Sequence, residues 1–185
     1  LLIAGFTSFY QVEPEEVALV LQFGRYVRQA DPGLHLKIPF GVETVQKVPV
    51  QRQWKEEFGF RTERAGVRTV YSPDRLEQES LMLTGDLNVA VVEWIAQYRV
   101  ADPYLFLFKV RDVETTFRLM NEAVVRQVVG DRSVTEVLTI GRREVADKAQ
   151  QVMQEMLDGY EVGIVIETVN LKDVNPPDPV KPNVP

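Results

Sequence analysis

Four prolines fall within residues 176–182, in the run Asn175-Pro176-Pro177-Asp178-Pro179-Val180-Lys181-Pro182, directly after a periodic apolar segment. Proline fixes φ and lacks an amide donor, so no helix or central strand runs through such a stretch. A folded domain is therefore expected to end near residue 174, with a stiff exit over 175–185. The other end carries a second signal. Residues 1–10 are uncharged, and Leu1-Leu2-Ile3-Ala4-Gly5-Phe6 gives way to Glu13-Pro14-Glu15-Glu16. Spanning a bilayer takes about 20 residues, so residues 1–9 read as the end of a transmembrane or membrane-proximal segment, with a buried first strand as the alternative. The chain reads as one domain, residues 10–174, cut from something longer.

The charge balance narrows the function classes. The net charge is −6 and no basic run is longer than Arg142-Arg143. Phosphate neutralisation needs clustered Lys and Arg, which argues against nucleic acid. With no cysteine, disulfides, zinc–thiolate sites and thiol chemistry are excluded. Hydrophobic residues make up 45% of the chain, enough for a core.

Periodicity predicts the elements. Glu16 to Phe23 is β-branched and apolar and reads as a strand, turned by Gly24-Arg25 into Tyr26–Gln29. Asp31-Pro32-Gly33 is a turn. Leu34–Ile38 and Val42–Val50 alternate as strands, Ser80–Thr84 has strand character, and Gly85-Asp86 turns the chain. Leu87–Val100 is the longest strand candidate. It has Ala90, Val92, Trp94, Ala96, Tyr98 and Val100 on one face, and Leu87, Val89 and Val91 predict burial of its first half on both faces. Asp112 is placed to cap a helix to Val129 along Val113, Phe117, Met120, Val124 and Val128, with Gly130 as a left-handed stop. Ser133 and Glu136 make a capping box. A longer helix from about Ile140 to Leu157 presents Val145, Ala149, Val152 and Met156, and Tyr160–Val174 is a final strand. The expected class is α+β: mainly antiparallel strands, then helices packed on one side, then a last strand.

Two groups stand out as contact candidates. From Glu57 to Glu79 the pattern decays into isolated apolar residues among charges, broken by Gly59, Gly66 and Pro73. A segment of this length without a period is expected to be an exposed insertion that touches a membrane or partner, through Phe58, Phe60, Val70 and Tyr71. On the first long helix Arg118, Glu122 and Arg126 form a charged face suited to a lateral contact with a neighbouring copy, with Arg118 and Glu122 at i,i+4 spacing. No catalytic set is visible. The single histidine, His35, lies between Leu34 and Leu36 and reads as structural. One histidine and no cysteine are too few for zinc. No Gly-x-Ser-x-Gly elbow, calcium loop or phosphate loop occurs, and no cofactor is expected.

Phe9-Tyr10-Gln11-Val12-Glu13-Pro14-Glu15-Glu16 and the strand after it resemble the opening of SPFH (band 7, prohibitin-like) domains. Pro32-Gly33-Leu34-His35-Leu36-Lys37-Ile38-Pro39-Phe40 resembles their proline-glycine-leucine-histidine element. Phe58-Gly59-Phe60-Arg61-Thr62, Glu79–Asp86, Gln97–Pro103, Ile164–Leu171 and Asn175–Val180 narrow the likeness to the HflK branch of that family. The chain is more apolar than the branch at Leu87-Asn88-Val89-Ala90-Val91. The resemblance implies a non-catalytic scaffold subunit with one N-terminal span and its SPFH domain on the periplasmic side of a bacterial inner membrane. It also implies assembly with HflC-like subunits around an FtsH-like AAA protease, whose access to membrane substrates the cage limits. The alternative is a stomatin- or flotillin-like organiser of membrane lipid; a hydrolase is the third reading.

Overall fold

The computed structural model describes residues 8–60, 78–139 and 141–175. They divide into two compact units, one drawn from residues 8–53, 99–111 and 161–165, the other from 54–60, 78–98, 112–139, 141–160 and 166–175.

In the first unit the β-branched run forms β2 (Glu16–Gln22), buried from Val17 to Leu21. It is flanked antiparallel by β3 (Arg25–Ala30) and β5 (Glu43–Pro49). The β2–β3 turn uses Phe23 and Gly24 at positive φ. Before β2, residues 9–12 form β1 (Phe9–Val12), which pairs with β4 (Gly33–Leu36) with Phe9 opposite Leu36 and Gln11 opposite Leu34. Side chains alternate across a strand, so Val12 turns into a small core with Ala18 and Ala30, which Tyr10 and Val45 cover. Residues 103–108, unassigned by periodicity, form α1 (Pro103–Phe108). Asp102 caps it, its carboxylate accepting from the amides of Tyr104 and Leu105.

Gly163 closes this unit. Its carbonyl accepts from the amides of Ala101 and Asp102, its φ is +76°, and a Cβ there would lie 2.4 Å from the Asp102 carbonyl oxygen and 2.9 Å from Leu105 Cβ. Both the left-handed backbone and the close approach require glycine. Gly163→Ala is expected to destabilise the chain by about 1–3 kcal/mol in chemical denaturation. A change within error would show that the backbone relaxes there freely.

The spine of the second unit is β8 (Val89–Val100), whose predicted core face, Ala90 to Val100, is buried throughout. β6 (Trp54–Phe58) pairs with Tyr98 down to Trp94, and β7 (Leu81–Leu83) pairs with Val91 down to Val89. Both run antiparallel to β8. β9 (Ile164–Asn175) pairs with β8 as well. Then come α2 (Val113–Gly130), capped by Asp112 through the Thr115 amide, α3 (Val134–Leu138) with its Ser133–Glu136 capping box, and α4 (Arg142–Gly159). This is the expected α+β order.

Four expectations are corrected. The segment from Glu57 begins as the end of β6, not as loop: Glu57 pairs across to Ile95 and Phe58 to Trp94. The outer face at the start of β8 is open, with Leu87 79% and Val89 45% exposed, because Leu87 sits at φ +62° in the β7–β8 turn. Gly130 is the last helical residue rather than a left-handed stop, and Asp131 caps at φ −88°. Close approach requires glycine instead at Gly85, where a Cβ would sit 2.8 Å from the Gly130 carbonyl oxygen, whereas a Cβ on Gly130 would meet nothing nearer than 3.8 Å. On α4 the buried stripe runs Val145, Ala146, Ala149, Met153 and Leu157, so Val152 and Met156 are only half-buried.

Candidate functional site

The β1–β4 ribbon has two unlike faces. Tyr10, Val12 and His35 turn inward, His35 stacking on Tyr10 at 5.5 Å with its Nε2 2.7 Å from the Asp31 carbonyl. Phe9, Leu34 and Leu36 turn outward, and Leu34 and Leu36 are 70% and 61% exposed. The chain then continues through Ile38, also exposed, to Phe40, which is 86% exposed at φ +64°. Four large apolar side chains thus stand in water between residues 34 and 40, with Phe9 opposite Leu36 on β1. A cluster of that kind marks an interaction surface, whereas scattered single residues do not.

A half-buried ion pair holds this stretch in place. Glu43 opens β5 with its side chain only 4% exposed, and it accepts from Arg28 Nη1 at 2.6 Å and Nη2 at 3.0 Å. The same carboxylate accepts from the Ile38 amide at 2.9 Å, while Arg28 Nη2 donates to the Leu36 carbonyl at 3.1 Å. Both backbone contacts belong to the apolar stretch. The Arg28 guanidinium, then the Ile38 amide, hold the Glu43 carboxyl below the usual carboxylate range, and Glu43 in turn raises Arg28. The sequence reading missed this pair because fifteen residues separate its members and neither position is periodic.

The residues singled out as contacts behave differently. Phe58 is fully buried, stacked on Trp94 with centroids 4.7 Å apart and an interplanar angle of 1°. Phe60 is 2% exposed with the Lys172 ammonium 3.9 Å from its ring centroid. Neither is available as a surface contact; they are core residues of the second unit. Val70 and Tyr71 lie outside the described residues. Arg118 does not pair with Glu122. It reaches Glu56 at 2.7 Å and Glu79 at 3.1 Å and lies 4.7 Å over the Phe58 ring. It therefore ties the root of the segment that follows β6 to α2. Arg126 donates to the Leu81 carbonyl at 3.1 Å and is exposed, and Glu122 is half-buried.

Behind these residues Trp94 donates to Asn121 Oδ1 at 3.1 Å, with both side chains fully buried. Burial also pushes the Tyr98 hydroxyl up to about 12. These groups serve the core. Among the described residues no three His, Asp or Glu side chains are grouped to hold a metal ion, and no helix is long and apolar enough to cross a membrane.

Comparison with known proteins agrees with the α+β order. Residues 10–184 match the family model described as SPFH domain / Band 7 family. The chain is 40% identical over 172 residues to Protein HflK of Treponema pallidum, covering 92% of this chain and 52% of that protein. It is 34% identical over 170 residues to Protein HflK of Borreliella burgdorferi, covering 92% and 53%. It is 29% identical over 175 residues to the Escherichia coli K12 protein named Modulator of FtsH protease HflK, covering 95% and 37%. The chain thus spans about half, or less, of the length of these curated relatives. With 175 of its 185 residues inside the family model, the chain belongs to the SPFH domain / Band 7 family.

Proposed function

We propose that this chain is the SPFH portion of a non-catalytic, membrane-anchored scaffold subunit of the HflK type. In this reading it sits on the periplasmic face of a bacterial inner membrane, assembles with HflC-like subunits and limits the access of an FtsH-like protease to its substrates. The likeness to proteins named HflK supports the branch. The observation that carries the membrane part is the outward apolar stretch Phe9, Leu34, Leu36, Ile38 and Phe40. It lies beside β1, the first strand after the apolar N-terminal residues. Water-exposed apolar area is stabilised by lipid contact, at about 25 cal/mol per Å² removed from water. The exposed Arg126 and half-buried Glu122 on α2 remain the proposed lateral contact; Arg118, occupied inside its own unit, serves it only by fixing α2.

Vesicle co-sedimentation tests the membrane part. Replacing Leu34 and Phe40 together with aspartate is expected to weaken binding to phosphatidylethanolamine–phosphatidylglycerol vesicles at least tenfold. The thermal midpoint should stay within about 2 °C, since both side chains already face water. Unchanged binding would remove the face from this role. The scaffold part is tested by co-purification of the membrane-inserted protein with an FtsH-type protease. Slower turnover of a membrane substrate, without hydrolysis by the subunit itself, is the expected result.

A further inference from the structure

Strand β9 has one edge on β8 and, among the described residues, no strand on the other. α4 covers the start of that free edge with side chains that imitate a strand. Gln150 Nε2 donates to the Ile166 and Glu167 carbonyls at 3.2 and 3.1 Å, and Gln154 Oε1 accepts from the Ile166 amide at 2.8 Å. An uncovered edge is a template for another chain, and proteins usually block it. Here the block is interrupted after residue 167 and resumes only at Val174, whose carbonyl accepts from Arg142.

The next four residues, Thr168 to Leu171, instead line an open cleft of about 320 Å³, whose other wall is Arg142, Arg143, Ala146 and Asp147 from the first turns of α4. No side chain or loop among the described residues bonds to the backbone of Thr168–Leu171. The wall is poised for negative charge. Arg142 spends one nitrogen on the Val174 carbonyl at 3.3 Å, but its Nε is buried without a hydrogen-bond partner. Arg143 is exposed, and Gly141, the residue before α4, offers its first amides no side-chain cap. One carboxylate, Asp147, stands against two guanidinium groups.

We propose that the uncovered edge of β9 at Thr168–Leu171 is a docking site for an extended peptide segment, which adds as a strand and sets a carboxylate against Arg142 and Arg143. Strand addition supplies main-chain hydrogen bonds, and the charged wall chooses the segment. The covered half of the edge fixes where the added strand must stop, beside Gln150. The site lies within the second unit and does not depend on the membrane reading above.

The test uses the 185-residue chain and a fluorescent pentapeptide, Thr-Val-Thr-Val-Glu, with a free C-terminal carboxylate. Binding by anisotropy is expected to be saturable, and amide exchange at Thr168–Leu171 should slow on binding. Amidating the C-terminus together with Glu→Gln should weaken binding at least tenfold, as loss of a charge-assisted hydrogen bond does. Arg143→Glu should do the same, and because Arg143 is exposed the variant should fold. Methylating alternate peptide nitrogens should abolish binding. Failure of the acidic peptide to bind, binding without protection of these amides, or indifference to Arg143→Glu would each overturn the proposal. Protection that appears at rising protein concentration without peptide would assign the edge to a second copy instead.

Discussion

Phe58→Ala is expected to destabilise the chain by about 3–5 kcal/mol, the range for deleting a buried aromatic ring. Phe58 has no exposed area, lies flat on Trp94 and is covered by the Arg118 guanidinium. Truncation leaves a cavity beside Trp94 and removes the surface on which Arg118 rests, so the Arg118 pairs with Glu56 and Glu79 should loosen as well. Chemical denaturation measures the loss. A second reading comes from tryptophan fluorescence, because the variant opens the Trp94 environment even before unfolding. A change below about 1 kcal/mol would return Phe58 to the surface role that the sequence pattern suggested.

That pattern misled for a definite reason. Trp54-Lys55-Glu56-Glu57-Phe58 places three charges in five residues, so neither a helical nor a strand period emerges. Its strand character comes from pairing with Tyr98 to Trp94, about forty residues away, and its charges find Arg118 and each other, as in the Lys55–Glu57 pair at 2.6 Å. None of this is local. Where structure is local, the sequence was legible. β8 alternates visibly because one face meets the core, and the caps at Asp112 and Ser133 need only residues within three positions. The family likeness was legible for a different reason, since its motifs sit in fixed order over nearly the whole chain. The candidate surface fell between these cases. Leu34-His35-Leu36 alternates as a strand should, and alternation alone says that one face is apolar. It does not say which face meets water. Only the register with β1, which turns Val12 inward beside Ala18 and Ala30, puts Leu34 and Leu36 outside.

Glu43→Gln should separate the presentation of that surface from its chemistry. The wild-type carboxylate accepts three hydrogen bonds from two donors, Arg28 and Ile38, in a nearly buried position. Glutamine keeps the shape but offers one acceptor oxygen and an NH₂ that faces a guanidinium. Arg28 is 41% exposed and recovers part of its solvation in water. The expected loss is therefore about 1–3 kcal/mol near neutral pH, below that of a fully buried broken pair. The pH dependence has a fixed sign. Because folding lowers the Glu43 pKa, its contribution is fully present above the ordinary glutamate value and is lost as pH falls through the depressed value. The wild type should lose stability across that acidic window, and the variant should lose less, so the two curves converge at low pH. Vesicle binding supplies the other half of the test. The variant leaves Leu34, Leu36 and Phe40 unchanged but releases the Ile38 amide and the Arg28 contact to Leu36. Weaker vesicle binding at neutral pH, with the fold retained below its midpoint, would show that the ion pair sets the geometry of the apolar stretch. Unaltered vesicle binding together with the stability loss would show that the pair serves only the fold.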